Sequence, residues 1–181
     1  MNYLNYLNSR QGLRLEYLLG LLVCLLALGF AFYLEFIKHL EPCPLCILQR
    51  VMLVLSGFLY LLGFLQGPKR WGIKIYGGLL LISTLIGLGV AARQIYIQSL
   101  PISDLSACSP GLHYLWQTLS LNQFMTNVFQ GDALCAAMGP KFIIFSLSEW
   151  SALLFLLLSL LNLHLVCRDF LIGKNRETFN G

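Results

Sequence analysis

Four stretches of this 181-residue sequence carry no Asp, Glu, Lys or Arg and consist mostly of Leu, Ile, Val, Phe, Ala and Gly. They are residues 17–34, 51–68, 75–92 and 150–167, each 18 residues long. At a helical rise of about 1.5 Å per residue, each run covers about 27 Å, close to the hydrocarbon thickness of a bilayer. Backbone N–H and C=O groups in lipid must be satisfied inside their own segment, so such runs take helical form. Only 11% of the chain is charged, and its mean hydropathy is +0.73. A water-facing surface carries about a quarter charged residues. Composition therefore excludes a soluble globular enzyme, a disordered or collagen-like chain and, despite a net charge of +4, a nucleic-acid-binding module. The expected architecture is all-α: one integral membrane domain over 1–181, a four-helix transmembrane bundle with spans at about 16–36, 45–66, 73–95 and 147–167.

A fifth charge-free run, 105–131, is too polar to cross lipid, holding Ser106, Ser109, His113, Gln117, Asn122, Gln123 and Asn127. The first run is too long for a signal-peptide core and leads into Glu35-Phe36-Ile37-Lys38 with no small-residue cleavage site, so it reads as a retained helix. Lys and Arg set orientation. Arg10, Arg14, Lys69, Arg70, Lys74, Arg168, Lys174 and Arg176 lie on one side, against Lys38, Arg50, Arg93 and Lys141 on the other. Both termini are thus expected in the cytoplasm, with two outer loops, about 37–44 and 97–146. In the second, Leu112, Leu115, Trp116 and Leu119, then Phe124, Met125, Val128 and Phe129, recur at helical spacing. They suggest short interfacial helices or a loop packed on its own span ends.

Four of the six cysteines fall on the outer side: Cys43 and Cys46 in Glu41-Pro42-Cys43-Pro44-Leu45-Cys46, and Cys108 and Cys135 in the long loop. Disulfides persist outside the bacterial cytoplasm and rarely within it. Three uses of the four thiols compete: structural disulfides, a four-thiolate zinc site, and redox catalysis. The 27-residue separation of Cys108 and Cys135 weakens the zinc reading. Pro44 suits a first helical turn, which places Cys46 at the positive end of a helix dipole, where an anionic thiolate is favoured. Arg50 lies four residues on, one turn deeper on the same face. An ionisable group inside a span is a functional candidate by default, although a long side chain can instead snorkel to the headgroups. A loop disulfide passing electrons to a C-x-x-C pair at the lipid boundary would form a relay from water to a membrane quinone.

These motifs together resemble the disulfide bond formation protein B (DsbB) family of bacterial inner-membrane oxidases, over roughly residues 14–167. The resemblance rests on Glu41-Pro-Cys-Pro-Leu-Cys46 with Gln49-Arg50, on Arg93-Gln94, Gln98 and Pro101 leading to Cys108-Ser-Pro-Gly-Leu112, and on Gly131-Asp-Ala-Leu-Cys135 followed by Trp150. It implies a protein-disulfide:quinone oxidoreductase of the inner membrane with periplasmic redox loops. In that scheme a reduced periplasmic DsbA-like dithiol oxidase of the thioredoxin fold attacks a Cys108–Cys135 disulfide. Cys43–Cys46 reoxidises the loop pair and passes two electrons to ubiquinone or menaquinone. Cys46 faces the quinone and Arg50 assists its binding. No metal is implied. The sequence departs from the family pattern at Met138-Gly139-Pro140-Lys141, which lacks an aromatic residue, and at Ser148, where proline is frequent. The reading from a different class is a non-enzymatic tetraspan scaffold whose outer loop is stapled by disulfides.

Other residues carry blander expectations. His39, His113 and His164 read as structural or interfacial, Cys24 and Cys167 as small apolar residues, and Trp71, Trp116 and Trp150 as interfacial anchors. Gly87, Gly89, Ala91 and Ala92 read as a close helix-packing face, and Gln94 as a candidate lining residue of a quinone pocket.

Overall fold

A computed structural model describes residues 10–38, 43–67, 70–100 and 146–177. The described residues form four α-helices and no strand: α1 (Arg10–Lys38), α2 (Pro44–Gln66), α3 (Arg70–Gln98) and α4 (Leu147–Glu177). All four are long and apolar enough to cross a membrane. The expected interfacial helices of the long outer loop, together with Cys108, Cys135, His39, His113 and Trp116, lie outside the described residues.

The helix ends follow local chemistry. Cys43 caps α2 in extended conformation (φ −69°, ψ 160°), and Pro44 occupies the first helical position, where a missing N–H costs nothing. At the other end Gly67 adopts φ 53° and its N–H closes on the Gly63 carbonyl at 3.1 Å. That left-handed C-cap favours glycine. Ser146 and Glu149 form a capping box at the start of α4. Glu149 Oε2 accepts from the Ser146 N–H at 2.6 Å, and the Glu149 N–H donates back to Ser146 Oγ at 3.4 Å.

The helices pack in sequence order, α1 on α2, α2 on α3 and most extensively α3 on α4. Short connections at 39–42 and 68–69 make neighbours of α1–α2 and α2–α3. Lipid is as apolar as Leu, so close packing and interhelical hydrogen bonds hold such a bundle. Both are present. A Cβ on Gly20 of α1 would lie 2.5 Å from the Tyr60 ring of α2, and a Cβ on Gly63 of α2 would lie 2.6 Å from the Tyr17 ring of α1. Each helix thus seats the other's tyrosine, and the two rings meet edge to face at 6.4 Å. Deeper in the bundle, Tyr60 Oη donates to Asn162 Oδ1 at 2.7 Å, and Asn162 Nδ2 donates to Thr84 Oγ1 at 3.3 Å. This links α2, α4 and α3. Ser56 and Ser83 add a 2.9 Å hydroxyl pair between α2 and α3.

The expected small-residue face of α3 is half right. Buried positions recur as Leu80, Thr84, Gly87, Ala91 and Gln94, and Gly87 lies directly beneath Phe155 of α4. Gly89 and Ala92 are exposed, and nothing approaches within 4 Å of a Cβ placed on Gly89. They lie off the packing stripe because 3.6-residue periodicity turns them toward lipid. Cys24 is fully buried beside Gly57, Cys167 is exposed, and Trp71 and Trp150 are exposed near helix ends.

Candidate functional site

The N-terminal turn of α2 holds both cysteines of the C-x-x-C. Cys43 is the cap residue and is buried; Cys46 is at the third helical position and half-buried. Their sulfurs lie 3.2 Å apart, with the Cys43 thiol directed at Cys46. The first N–H groups of a helix lack partners within it, so this turn presents the positive end of α2 to the pair.

A second helix reaches the sulfurs. Gln94 of α3 directs Nε2 at Cys46 Sγ (3.3 Å) and at Cys43 Sγ (3.8 Å). Its Oε1 accepts from Gln49 Nε2 at 2.8 Å. Both glutamines are almost fully buried, at 2% and 6% exposure, which marks these contacts as interior rather than surface polar groups.

Arg50, one turn below Cys46, is held by α1. Its guanidinium forms an ion pair with Glu35, donates to the Ala31 carbonyl at 3.2 Å and lies 5.5 Å from the centre of the Phe32 ring. Its guanidinium lies in the α1–α2 seam. Pairing within the bundle is the usual way an intramembrane charge is offset. Exposed Phe32 and Phe36 on α1 and Val51 and Val54 on α2 form an apolar surround on the lipid side.

The C-terminal end of α3 and the N-terminal end of α4 are joined by a hydrogen bond from Ser148 Oγ to Gln98 Oε1. Ser148, where the family pattern often has proline, thus contributes an interhelical tie as well as bonding Ser146 at 2.9 Å. His164 lies far along α4, 3.7 Å from Glu16 of α1.

The structure therefore brings together Cys43, Cys46 and Arg50 within two turns of α2. It adds three residues whose contacts sequence reasoning did not supply: Glu35 on Arg50, Gln49 on Gln94, and Gln94 on the sulfurs. Glu35 was visible only as the acid ending the first run. Gln49 stood inside a motif. Gln94 shares the α3 stripe of Leu80, Thr84, Gly87 and Ala91, a signal that it is buried but not of what it touches.

Comparison with known proteins matches residues 13–165 to the family model described as disulfide bond formation protein DsbB. A disulfide bond formation protein B of Nitrosococcus oceani is 38% identical over 154 residues, covering 85% of this chain and 91% of that protein. One from Acinetobacter baumannii is 41% identical over 170 residues, covering 91% and 99%. A third, from Pseudomonas aeruginosa, is 40% identical over 139 residues, covering 77% and 85%. No solved structure matches.

Proposed function

The chain belongs to the disulfide bond formation protein DsbB family, and from that membership we propose that it is a protein-disulfide:quinone oxidoreductase of the bacterial inner membrane. Its role as a multi-pass membrane protein of disulfide bond formation follows from the family and the four apolar helices. The electron route and its partners are the proposal. Both termini face the cytoplasm and both redox loops the periplasm.

A reduced DsbA-like dithiol attacks the Cys108–Cys135 disulfide. The partner's two thiols become its disulfide, and Cys108 and Cys135 become thiols. Exchange with the Cys43–Cys46 disulfide restores the loop pair and leaves Cys43 and Cys46 reduced. Their reoxidation delivers two electrons and two protons to a membrane quinone, which is the chemistry that acceptor supplies. Cys46 is the sulfur facing the quinone, and Cys43 exchanges with the loop pair. The observation that carries this reading is the dithiol at the start of a membrane-spanning helix, with a guanidinium one turn deeper. The surrounding side chains fit a quinone. Arg50 offers donors for a carbonyl oxygen, and the apolar residues flanking it on α1 and α2 suit an isoprenoid tail.

The test is turnover of the purified protein with a reduced periplasmic dithiol oxidase, run with ubiquinone and menaquinone side by side. Thiols should be consumed catalytically, and Ser at Cys43, Cys46, Cys108 or Cys135 should abolish turnover. Full quinone-linked turnover in Cys108→Ser would refute the two-pair relay. No turnover with either quinone would leave the scaffold reading.

A further inference from the structure

We propose that Gln94 is the hydrogen-bond donor that stabilises Cys46 in its reduced, charge-bearing form, and that Gln49 positions it by occupying the opposite end of the same amide. The proposal rests on reading Cys43–Cys46 as a redox pair, and it adds two residues on different helices to that pair's chemistry.

An amide has one donating and one accepting end, and a thiolate can only accept. Gln94 Oε1 is taken by the Gln49 N–H at 2.8 Å, so the NH2 end of Gln94 is the end turned toward the sulfurs. With the Gln94 amide alone reversed, its oxygen would face a thiolate that can only accept, and its NH2 would face the Gln49 NH2. Both contacts would be unfavourable in a buried site where water does not compete. Gln49 thus sets the direction of an amide it does not share a helix with.

Two donors then converge on one sulfur. Cys46 Sγ receives Gln94 Nε2 at 3.3 Å and the Cys43 thiol at 3.2 Å, and Gln94 Nε2 is farther from Cys43 Sγ, at 3.8 Å. Cys46 also sits in the first turn of α2, at the positive end of the helix dipole. The asymmetry singles out Cys46 as the sulfur that holds negative charge after reduction. A hydrogen bond to a charged group is stronger than one to a neutral group, and a disulfide sulfur is a poor acceptor. The clamp therefore favours the dithiol state over the disulfide and makes the pair more oxidising.

The measurement is the redox equilibrium of this one pair. Full-length protein carrying Cys108→Ser and Cys135→Ser is held in quinone-free detergent and equilibrated with reduced and oxidised dithiothreitol. In this exchange two dithiothreitol thiols become its cyclic disulfide as the Cys43–Cys46 disulfide becomes two thiols. Maleimide labelling with mass counting reads the reduced fraction. In Gln94→Leu the equilibrium constant for reduction should fall about tenfold, equivalent to ~30 mV for a two-electron couple. In Gln49→Leu, where the donor remains but is no longer aimed, the fall should be about threefold in the same direction. An equilibrium constant within twofold of the parent in Gln94→Leu, or a shift toward the reduced form, overturns the proposal. If Gln94→Leu does not fold, Gln49→Leu decides alone: a fall supports the clamp, and no change overturns it. Neither quinone nor partner takes part, so failure of quinone-linked turnover leaves this result interpretable.

Discussion

Gly87 on α3 and Gly89 two residues further make a matched pair for testing how the bundle is packed. A Cβ on Gly87 would fall on Cε1 of Phe155 and lie 2.6 Å from Cδ1 and Cζ of the same ring. A Cβ on Gly89 would meet nothing within 4 Å. Carbon contacts settle near 3.5–4.0 Å, so in Gly87→Ala the Phe155 ring must retreat by about 1 Å. Phe155 is fully buried, and close-packed interiors transmit such a displacement to α4. Overpacking of this kind costs about 1–3 kcal/mol. Both substitutions gain the same helix propensity on leaving glycine, so that gain cancels in the comparison. Gly87→Ala should therefore be less stable than Gly89→Ala by about 1–3 kcal/mol, about a five- to 150-fold difference in the unfolding constant. Unfolding of the purified variants in mixed detergent and sodium dodecyl sulfate, followed by circular dichroism, measures it. Equal stability of the two variants would refute the α3–α4 packing described above and, with it, the placement of Gln94 and Gln98 on that face.

Three further outcomes follow from particular contacts. Tyr60→Phe keeps the ring seated on Gly20 but removes the donor to Asn162, and should cost about 0.6–2 kcal/mol in the same unfolding assay. Ser146→Ala removes the cap of α4 and should cost about 1 kcal/mol; Ser146→Asp, which can still cap, should recover most of it. Arg50→Lys replaces the two nitrogens that separately serve Glu35 and the Ala31 carbonyl with a single ammonium that lacks the guanidinium fork. Its apparent KM for quinone in steady-state turnover should rise several-fold, with the KM for the partner dithiol unchanged. A rise in both would assign Arg50 to bundle stability instead.

Much was legible in the chain. The membrane, the number of helices and their approximate extents follow from charge-free runs of one bilayer thickness, because lipid forbids unsatisfied backbone and penalises charge. Pro44 at the first helical position made the C-x-x-C a helix start, since proline fixes φ and lacks the N–H that this position does not need. These are local or compositional constraints, and one strand of sequence carries them whole.

What only the tertiary structure decided is which face meets which. Hydropathy does not distinguish a side chain facing lipid from one facing another helix, because both surroundings are apolar. Gly87 and Gly89 are therefore indistinguishable in sequence, yet one is under Phe155 and the other is open. Arg50 could be placed one turn from Cys46 by counting. Its pairing with Glu35, 15 residues away on α1, required the seam between two helices. Gln94 lies 48 residues from Cys46, and no periodicity within α3 says that a different helix brings a sulfur within 3.3 Å of its amide. The C-x-x-C pair was written in the sequence of α2, while its hydrogen-bonding environment was set by how α1 and α3 pack around it.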